Sequence, residues 1–196
     1  MSEPLVLSIR PQALNLGAPH AMAIPGYIIV RGKPPPVAPA KAQYRRQPTG
    51  GMPPYTYASS DEQVAQVDSE GLVTAAGNGT ALISVRDCSA ATAQFAITFS
   101  AIVQVAQYGP VNWGSSVNDR PWVNRALSVA EMRLFYDTYA SSAGDIEAYL
   151  GWRQVNEYWT STNILTNDHG KTFLLRTGTE SDKQGGARLL VVLKDL

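Results

Sequence analysis

Cysteine is nearly absent from the chain: Cys88 stands alone among 196 residues. No intrachain disulfide can form, so packed cores must hold each folding unit together. A single thiol of this kind reads as a small residue at a strand end with no role, ahead of a reactive group. Histidine is almost as scarce. His20 and His169 lie in opposite halves, and neither H-E-x-x-H nor C-x-x-C occurs, so the usual zinc patterns are missing. Net charge is also missing, with Lys+Arg at 16 and Asp+Glu at 16. Nucleic-acid binding needs a basic footprint, and this balance offers none. No apolar run approaches the roughly 20 residues that span a bilayer. Met1 to Arg10 lack the basic start, apolar core and cleavage site of a signal peptide, which leaves trimming or another route of export, such as a phage particle. There is no G-x-S-x-G elbow. Gly170-Lys171-Thr172 has the tail of a P-loop, but Leu165 stands where the leading glycine belongs, so a phosphate cradle is excluded. The expectation is a protein that is not an enzyme and has no cofactor and no metal site.

Hydrophobic residues make up 44% of the chain, enough for packed cores. The length suits one large domain or two of about a hundred residues each. Leu5–Ile9 and Tyr27–Val30 are short β runs bounded by Pro and Gly. Lys33 to Pro54 then holds more than half of the 13 prolines, together with Gly50-Gly51, Lys33, Lys41, Arg45 and Arg46. Proline fixes φ and removes a backbone donor, so this stretch reads as a long insertion loop without regular strand. It is a solvated loop on the plain reading and a basic contact arm on the sharper one. Strands resume after it. Asp68-Ser69-Glu70-Gly71 and Gly77-Asn78-Gly79 are turn signals. Ala81, Ile83 and Val85 alternate with polar or exposed positions, as do Phe95, Ile97 and Phe99, the period of a half-buried sheet. Asn78-Gly79-Thr80 fits the N-glycosylation pattern, but the turn accounts for it.

From Tyr108 the composition shifts, and all four tryptophans (Trp113, Trp122, Trp152, Trp159) lie beyond it. Ser128 and Glu131 form a capping box, flanked by Leu127 and Met132 as a hydrophobic staple. Met132, Phe135, Tyr136 and Tyr139 make one apolar stripe at i, i+3, i+4 and i+7, with Gly144 as the stop. A second short helix is predicted over Asp145–Leu150, ended by Gly151. Tyr158–Thr162, Thr172–Arg176 and Arg188–Leu193 read as strands, so this half is α+β. The expected division is a β-sandwich over 1–103 with the insertion at 33–54, then an α+β domain over 104–196, with the joint between Phe99 and Tyr108.

Two resemblances rest on these motifs. Asp68-Ser-Glu-Gly-Leu-Val-Thr74 and Gly77-Asn-Gly-Thr-Ala-Leu-Ile-Ser-Val85 resemble the second half of a bacterial immunoglobulin-like domain of group 2. Leu127-Ser128-x-x-Glu131-Met132-x-x-Phe135-Tyr136 and Tyr158-Trp159-Thr160-Ser161-Thr162 resemble the first helix and the Y-W-[ST]-S-T strand of C-type lectin-like domains. The pair in this order is similar to the receptor-binding tip of the intimin and invasin adhesins. The resemblance implies a cell-surface adhesion or receptor-binding protein whose immunoglobulin-like domain presents a lectin-like one. It implies a protein receptor or surface glycan as partner, with a bacterial surface or a phage virion as location. The calcium motifs E-P-N, Q-P-D and W-N-D of sugar-binding lectins are missing. Asn167-Asp168 is the nearest fragment, and Leu165-Thr166 precede it.

The candidate binding residues lie in two polar, glycine-bearing stretches, Asn163–Lys171 and Thr177–Gly186, read as loops on a rigid scaffold. They are Asn163, Asn167, Asp168, His169, Lys171, Glu180, Asp182 and Lys183. His169 beside Asp168 could also form an acid–base pair, and Glu180 with Asp182 a pair of carboxylates, but turn and solvent roles explain both. Trp113 and Trp122 are the candidates for a calcium-independent carbohydrate site, with Trp159 assigned to the core. A structural phage component, in tail or decoration, is the remaining class. A chelator and a reductant should each leave the melting temperature unchanged. A rise of several degrees on adding calcium would reveal a native-state site that these motifs miss.

Overall fold

The computed structural model describes residues 12–112, 125–155, 157–163, 169–184 and 188–194. The strands are β1 (His20–Ala23), β2 (Ile28–Ile29), β3 (Gln43–Arg45), β4 (Thr56–Ser59), β5 (Ala65–Val67), β6 (Leu72–Ala75), β7 (Gly79–Arg86), β8 (Thr92–Ser100), β9 (Val103–Asn112), β10 (Tyr158–Asn163), β11 (His169–Leu174), β12 (Thr179–Gln184) and β13 (Arg188–Lys194). The helices are α1 (Val129–Ala140) and α2 (Ile146–Leu150).

In the first half, a four-stranded sheet ordered β1-β8-β7-β4 accompanies a three-stranded sheet ordered β3-β6-β5. The alternation read in β7 and β8 is the alternation of burial. Ala81, Ile83 and Val85 are buried, as are Phe95, Ile97 and Phe99. The Asn78 turn is pinned from the side. Asn78 donates its amide to the Ile102 carbonyl and accepts from the Ile102 N–H, at 2.8 and 3.0 Å. The turn after β7 is closed by Asp87, whose carboxylate accepts from Ser89, Ala91 and the Met52 N–H. The Ser89 hydroxyl and these backbone donors hold its pKa below the usual carboxylate value. Cys88 sits exposed in this turn.

The proline-rich stretch is built into the fold rather than set out from it. A 3-10 turn at Ala40–Ala42 buries Ala42 completely, and β3 pairs antiparallel with β6, Tyr44 opposite Val73. The expectation of a loop without strand fails here because no proline falls within Gln43–Arg45, which leaves their N–H groups free to donate. Its two arginines are also engaged. Arg45 pairs with Glu70 at 3.0 Å. Arg46 donates to the carbonyls of Leu16 and Ala18 and lies over the rings of Tyr44 and Phe95. These two arginines are not a free contact arm.

The second half is built on a six-stranded sheet ordered β12-β11-β10-β13-β9-β2. β9 enters it beside β2, Val103 opposite Ile28, and continues along β13 as far as Asn112 opposite Arg188. One strand thus runs through the position where composition changes. β13, near the chain's end, lies between β9 and β10.

The capping box forms as read. The Glu131 N–H donates to Ser128 Oγ, and the Ser128 N–H to Glu131 Oε2. Val129 N–H, the next free donor, is taken by Thr162 Oγ1 of β10 at 2.9 Å. The helix ends at Ala140 with Ser141 as its cap, before Gly144, while α2 ends on Gly151 in the left-handed conformation. Met132, Phe135 and Tyr139 are fully buried in one hydrophobic cluster that also holds Tyr27, Ile28 and Ile29 of the first half. A second cluster on the far face of the sheet holds Trp159 with Ala126, Val191 and Leu193.

The seam between the halves is polar as well as apolar. The Tyr139 hydroxyl accepts from Val30 N–H and donates to the Lys33 carbonyl, at 3.2 and 2.6 Å. The Tyr149 hydroxyl donates to the Pro34 carbonyl at 2.6 Å. The neighbouring Tyr27 hydroxyl is buried with no hydrogen-bond partner. Two substitutions should therefore part company. Tyr139→Phe orphans a donor and an acceptor and should cost about 1–3 kcal/mol, whereas Tyr27→Phe should be nearly neutral or stabilising. Denaturant midpoints of the two variants test this; equal losses would refute the assignment.

Candidate functional site

Five of the candidate residues, His169, Lys171, Glu180, Asp182 and Lys183, lie on the β11–β12 hairpin at the edge of the sheet opposite β2. Residues 179–184 are strand, not loop, and pair with β11 from His169↔Gln184 to Leu174↔Thr179. Lys171 likewise sits within β11. Of the expected loop Thr177–Gly186, only Thr177 and Gly178 among the described residues lie in a turn, and that turn is docked on α1. Arg133 donates to the Gly178 carbonyl at 3.1 Å. Gly178 has φ +66 and lies so close to the Tyr136 ring that a Cβ would stand 2.5 Å from it. The hairpin is a rigid extension of the sheet, held by the helix.

Residues directly opposed in an antiparallel pair share a face. By that register Lys171 faces Asp182, and Phe173 faces Glu180. His169, Lys171, Glu180 and Asp182 therefore lie on the α1 side of the hairpin, beyond buried Phe173. Lys183 lies on the opposite side, with Glu157 at 2.7 Å. Lys171 and Asp182 form an ion pair at 2.7 Å, which lifts the Lys171 pKa above its ordinary value. His169 and Glu180 are exposed. The backbone of Asn163 pairs with Gly170 at the open end of the hairpin. Asn167, Asp168, Trp113 and Trp122 lie outside the described residues, and so does the acid–base pair considered for His169.

The Y-W-T-S-T strand explains how the hairpin is held. Tyr158 is buried against the α1 side and Trp159 against the far cluster, while Thr160 Oγ1 donates to the Lys171 carbonyl at 2.9 Å. Tyr158 also donates to Glu147, a buried carboxylate that accepts from Val155 N–H as well. Burial first, and Glu147 second, push the Tyr158 pKa well above its usual value. Sequence reasoning missed Glu147. Nothing in Asp145–Leu150 marks it, since its partners come from residues 155 and 158. A pocket of about 310 Å³ lies beside it, lined by Asp145, Glu147, Leu175 and Arg176 among others. Among the described residues no group of three or more His, Cys, Asp or Glu could hold a metal ion.

Residues 39–92 match the family model of the intimin immunoglobulin-like domain. That span takes in the second part of the proline-rich stretch, in keeping with β3 belonging to the sandwich. The crystal structure of an intimin mutant from EHEC O157:H7 is similar over 87% of this chain and 88% of that one, at 16% identity and a TM-score of 0.53. A second crystal structure, of an intimin–Tir90 complex, is similar over 88% of each chain at 16% identity and a TM-score of 0.50. The fold is that of intimin. It comprises an immunoglobulin-like β-sandwich followed by an α+β unit of the C-type lectin-like class, as the two motif sets imply. No curated protein matches the chain in sequence at a significant level.

Loss of the cap should loosen the hairpin's support. Burial raises the Glu131 pKa, but Lys194 and the Ser128 donors outweigh it and hold the carboxyl below its ordinary value. A depressed pKa means stability that is present at neutral pH and lost as pH falls below the ordinary carboxylate range. Ser128→Ala should cost roughly 0.5–2 kcal/mol at neutral pH. The difference from the parent chain should shrink in acid. A constant difference across pH, read from melting curves, would mean that Ser128 and Glu131 are not coupled.

Proposed function

We propose that the chain is a non-catalytic adhesion or receptor-binding protein. The immunoglobulin-like part, residues 1–103, presents the lectin-like part, residues 104–196, to a protein receptor. The observation that carries this reading is the intimin fold over nearly nine-tenths of the chain, in a family where one solved relative is in complex with Tir90. The β11–β12 hairpin supports the placement of the site. It stands at the sheet edge farthest from β2, and it is braced by α1 rather than free to move. A bacterial surface is the matching location. Among the described residues no helix is long and apolar enough to cross a membrane.

The test uses the full chain, immobilised and exposed to host or bacterial surface extracts. His169→Ala with Glu180→Ala, and Lys171→Ala with Asp182→Ala, should each weaken capture of a receptor several-fold while leaving the melting curve in place. The second pair is changed together so that neither charge is left alone. Capture undiminished by both double variants would move the site off this hairpin. Capture abolished by periodate treatment of the extract would favour a glycan ligand instead.

A further inference from the structure

We infer that the outer edge of β12 accepts an extended strand from a protein partner bearing basic residues at alternate positions. The inference rests on the receptor-binding reading and names the chemistry of the partner at that site. Three observations carry it. β12 ends the six-stranded sheet, and among the described residues no strand pairs with its outer side. Its six residues pair with β11 without a register shift, whereas β10–β11 and β13–β9 both carry one. A straight edge with open backbone groups is a template for another chain, and proteins blunt such edges with proline, bulges or free lysine. Thr179–Gln184 contains no proline and no bulge, and its lysine, Lys183, is drawn to Glu157 across the opposite face.

Charge then selects the occupant. Glu180 and Asp182 are two residues apart on one face. A second copy of the chain, paired antiparallel about a two-fold axis normal to the sheet, must oppose residues of the same face. Centred on Ser181, that pairing sets Glu180 against the other copy's Asp182, twice; centred on Asp182, it sets Asp182 against itself. Like charges directly opposed are destabilising in either register. A partner strand with Lys or Arg two residues apart meets unpaired Glu180 with one cation and joins the Lys171–Asp182 pair at its acid with the other, and its main chain supplies the hydrogen bonds.

The probe is a short capped peptide alternating lysine with threonine and valine, added to the full chain. Its controls are the same peptide with glutamate for lysine and the same peptide N-methylated at every residue. In the free chain, outward-facing β12 amides should exchange rapidly with solvent. The lysine peptide should slow that exchange and shift the β12 amide resonances. The glutamate peptide should bind roughly tenfold more weakly, and the N-methylated peptide should have no effect. Glu180→Lys, at an exposed position, should weaken the lysine peptide roughly threefold to tenfold without moving the melting temperature. Outward β12 amides already protected in the free chain, a lysine peptide that leaves them unaltered, or an N-methylated peptide that binds equally well would each overturn strand addition. Receptor capture that persists under any of those results leaves the receptor-binding reading standing, because it is measured separately.

Discussion

The Tyr139 hydroxyl is the point on which the two halves of the molecule turn. It sits in the last turn of α1, one residue from its end, is fully buried, and closes hydrogen bonds to both Val30 and Lys33. Without it, a helix in the second half would meet the first half through apolar contact alone, which is non-directional and tolerates sliding. Two directed bonds at a single oxygen fix the helix against one backbone segment. Burial moves the Tyr139 pKa far above its usual value, so this join stays protonated across physiological pH. Tyr149 repeats the arrangement at Pro34. Proline suits the receiving side: it lacks an N–H of its own to satisfy, and its fixed φ presents a carbonyl at low entropic cost.

That seam has a mechanical consequence at the other end of the sheet. β9 is shared between β2 and β13, and five strand spacings separate β2 from β12. At roughly 4.8 Å per spacing, the hairpin projects about 24 Å from the strand that ties the sheet to the first half. Every intermediate pairing is main-chain hydrogen bonding, and the hairpin turn is held by Arg133 and Tyr136 of α1. The same helix therefore contacts the first half through one set of residues and the hairpin through another. A partner bound at this hairpin, as proposed, would meet a surface whose orientation is set by α1, with little ordering left to be done.

The parts of the fold that were legible in the sequence are those whose signal is local. The capping box, the stripe Met132, Phe135, Tyr136 and Tyr139, of which all but half-buried Tyr136 are fully buried, and the alternation in β7 and β8 are each decided within a few residues. What was misread depends on partners far away in sequence. Thr179–Gln184 reads as a polar loop because an edge strand with both faces partly solvated needs no apolar alternation. Its strand character comes from β11 and from α1 behind the turn. Gln43–Arg45 lies among prolines, and its pairing with β6 is not visible from composition. Of the candidate site, the setting was misread: Glu180, Asp182 and Lys183 lie in a paired strand, and the register places Lys183 on the opposite face from Lys171, Glu180 and Asp182. The buried Glu147 left no trace, because a carboxylate in a short helix is ordinary until Tyr158 closes over it.

The arrangement of charge on the hairpin argues for recognition at short range. The chain has no formal net charge, and the two ion pairs that involve the hairpin, Lys171–Asp182 and Lys183–Glu157, neutralise their own members. A field that cancels within a few ångströms does little to steer a distant partner, since charges separated by more than about 10 Å are screened at ordinary salt. Paired charges act instead after contact, by penalising any partner that cannot match them. On this hairpin the unmatched remainder on the α1 side is one acid, Glu180, beside a backbone edge with unused donors and acceptors. Strand addition of the kind proposed would discriminate by register: a partner that slipped by one residue would turn its side chains to the wrong face. Rigidity at the seam and selectivity at the edge are then parts of one design, because a register can be read only on a strand that does not move.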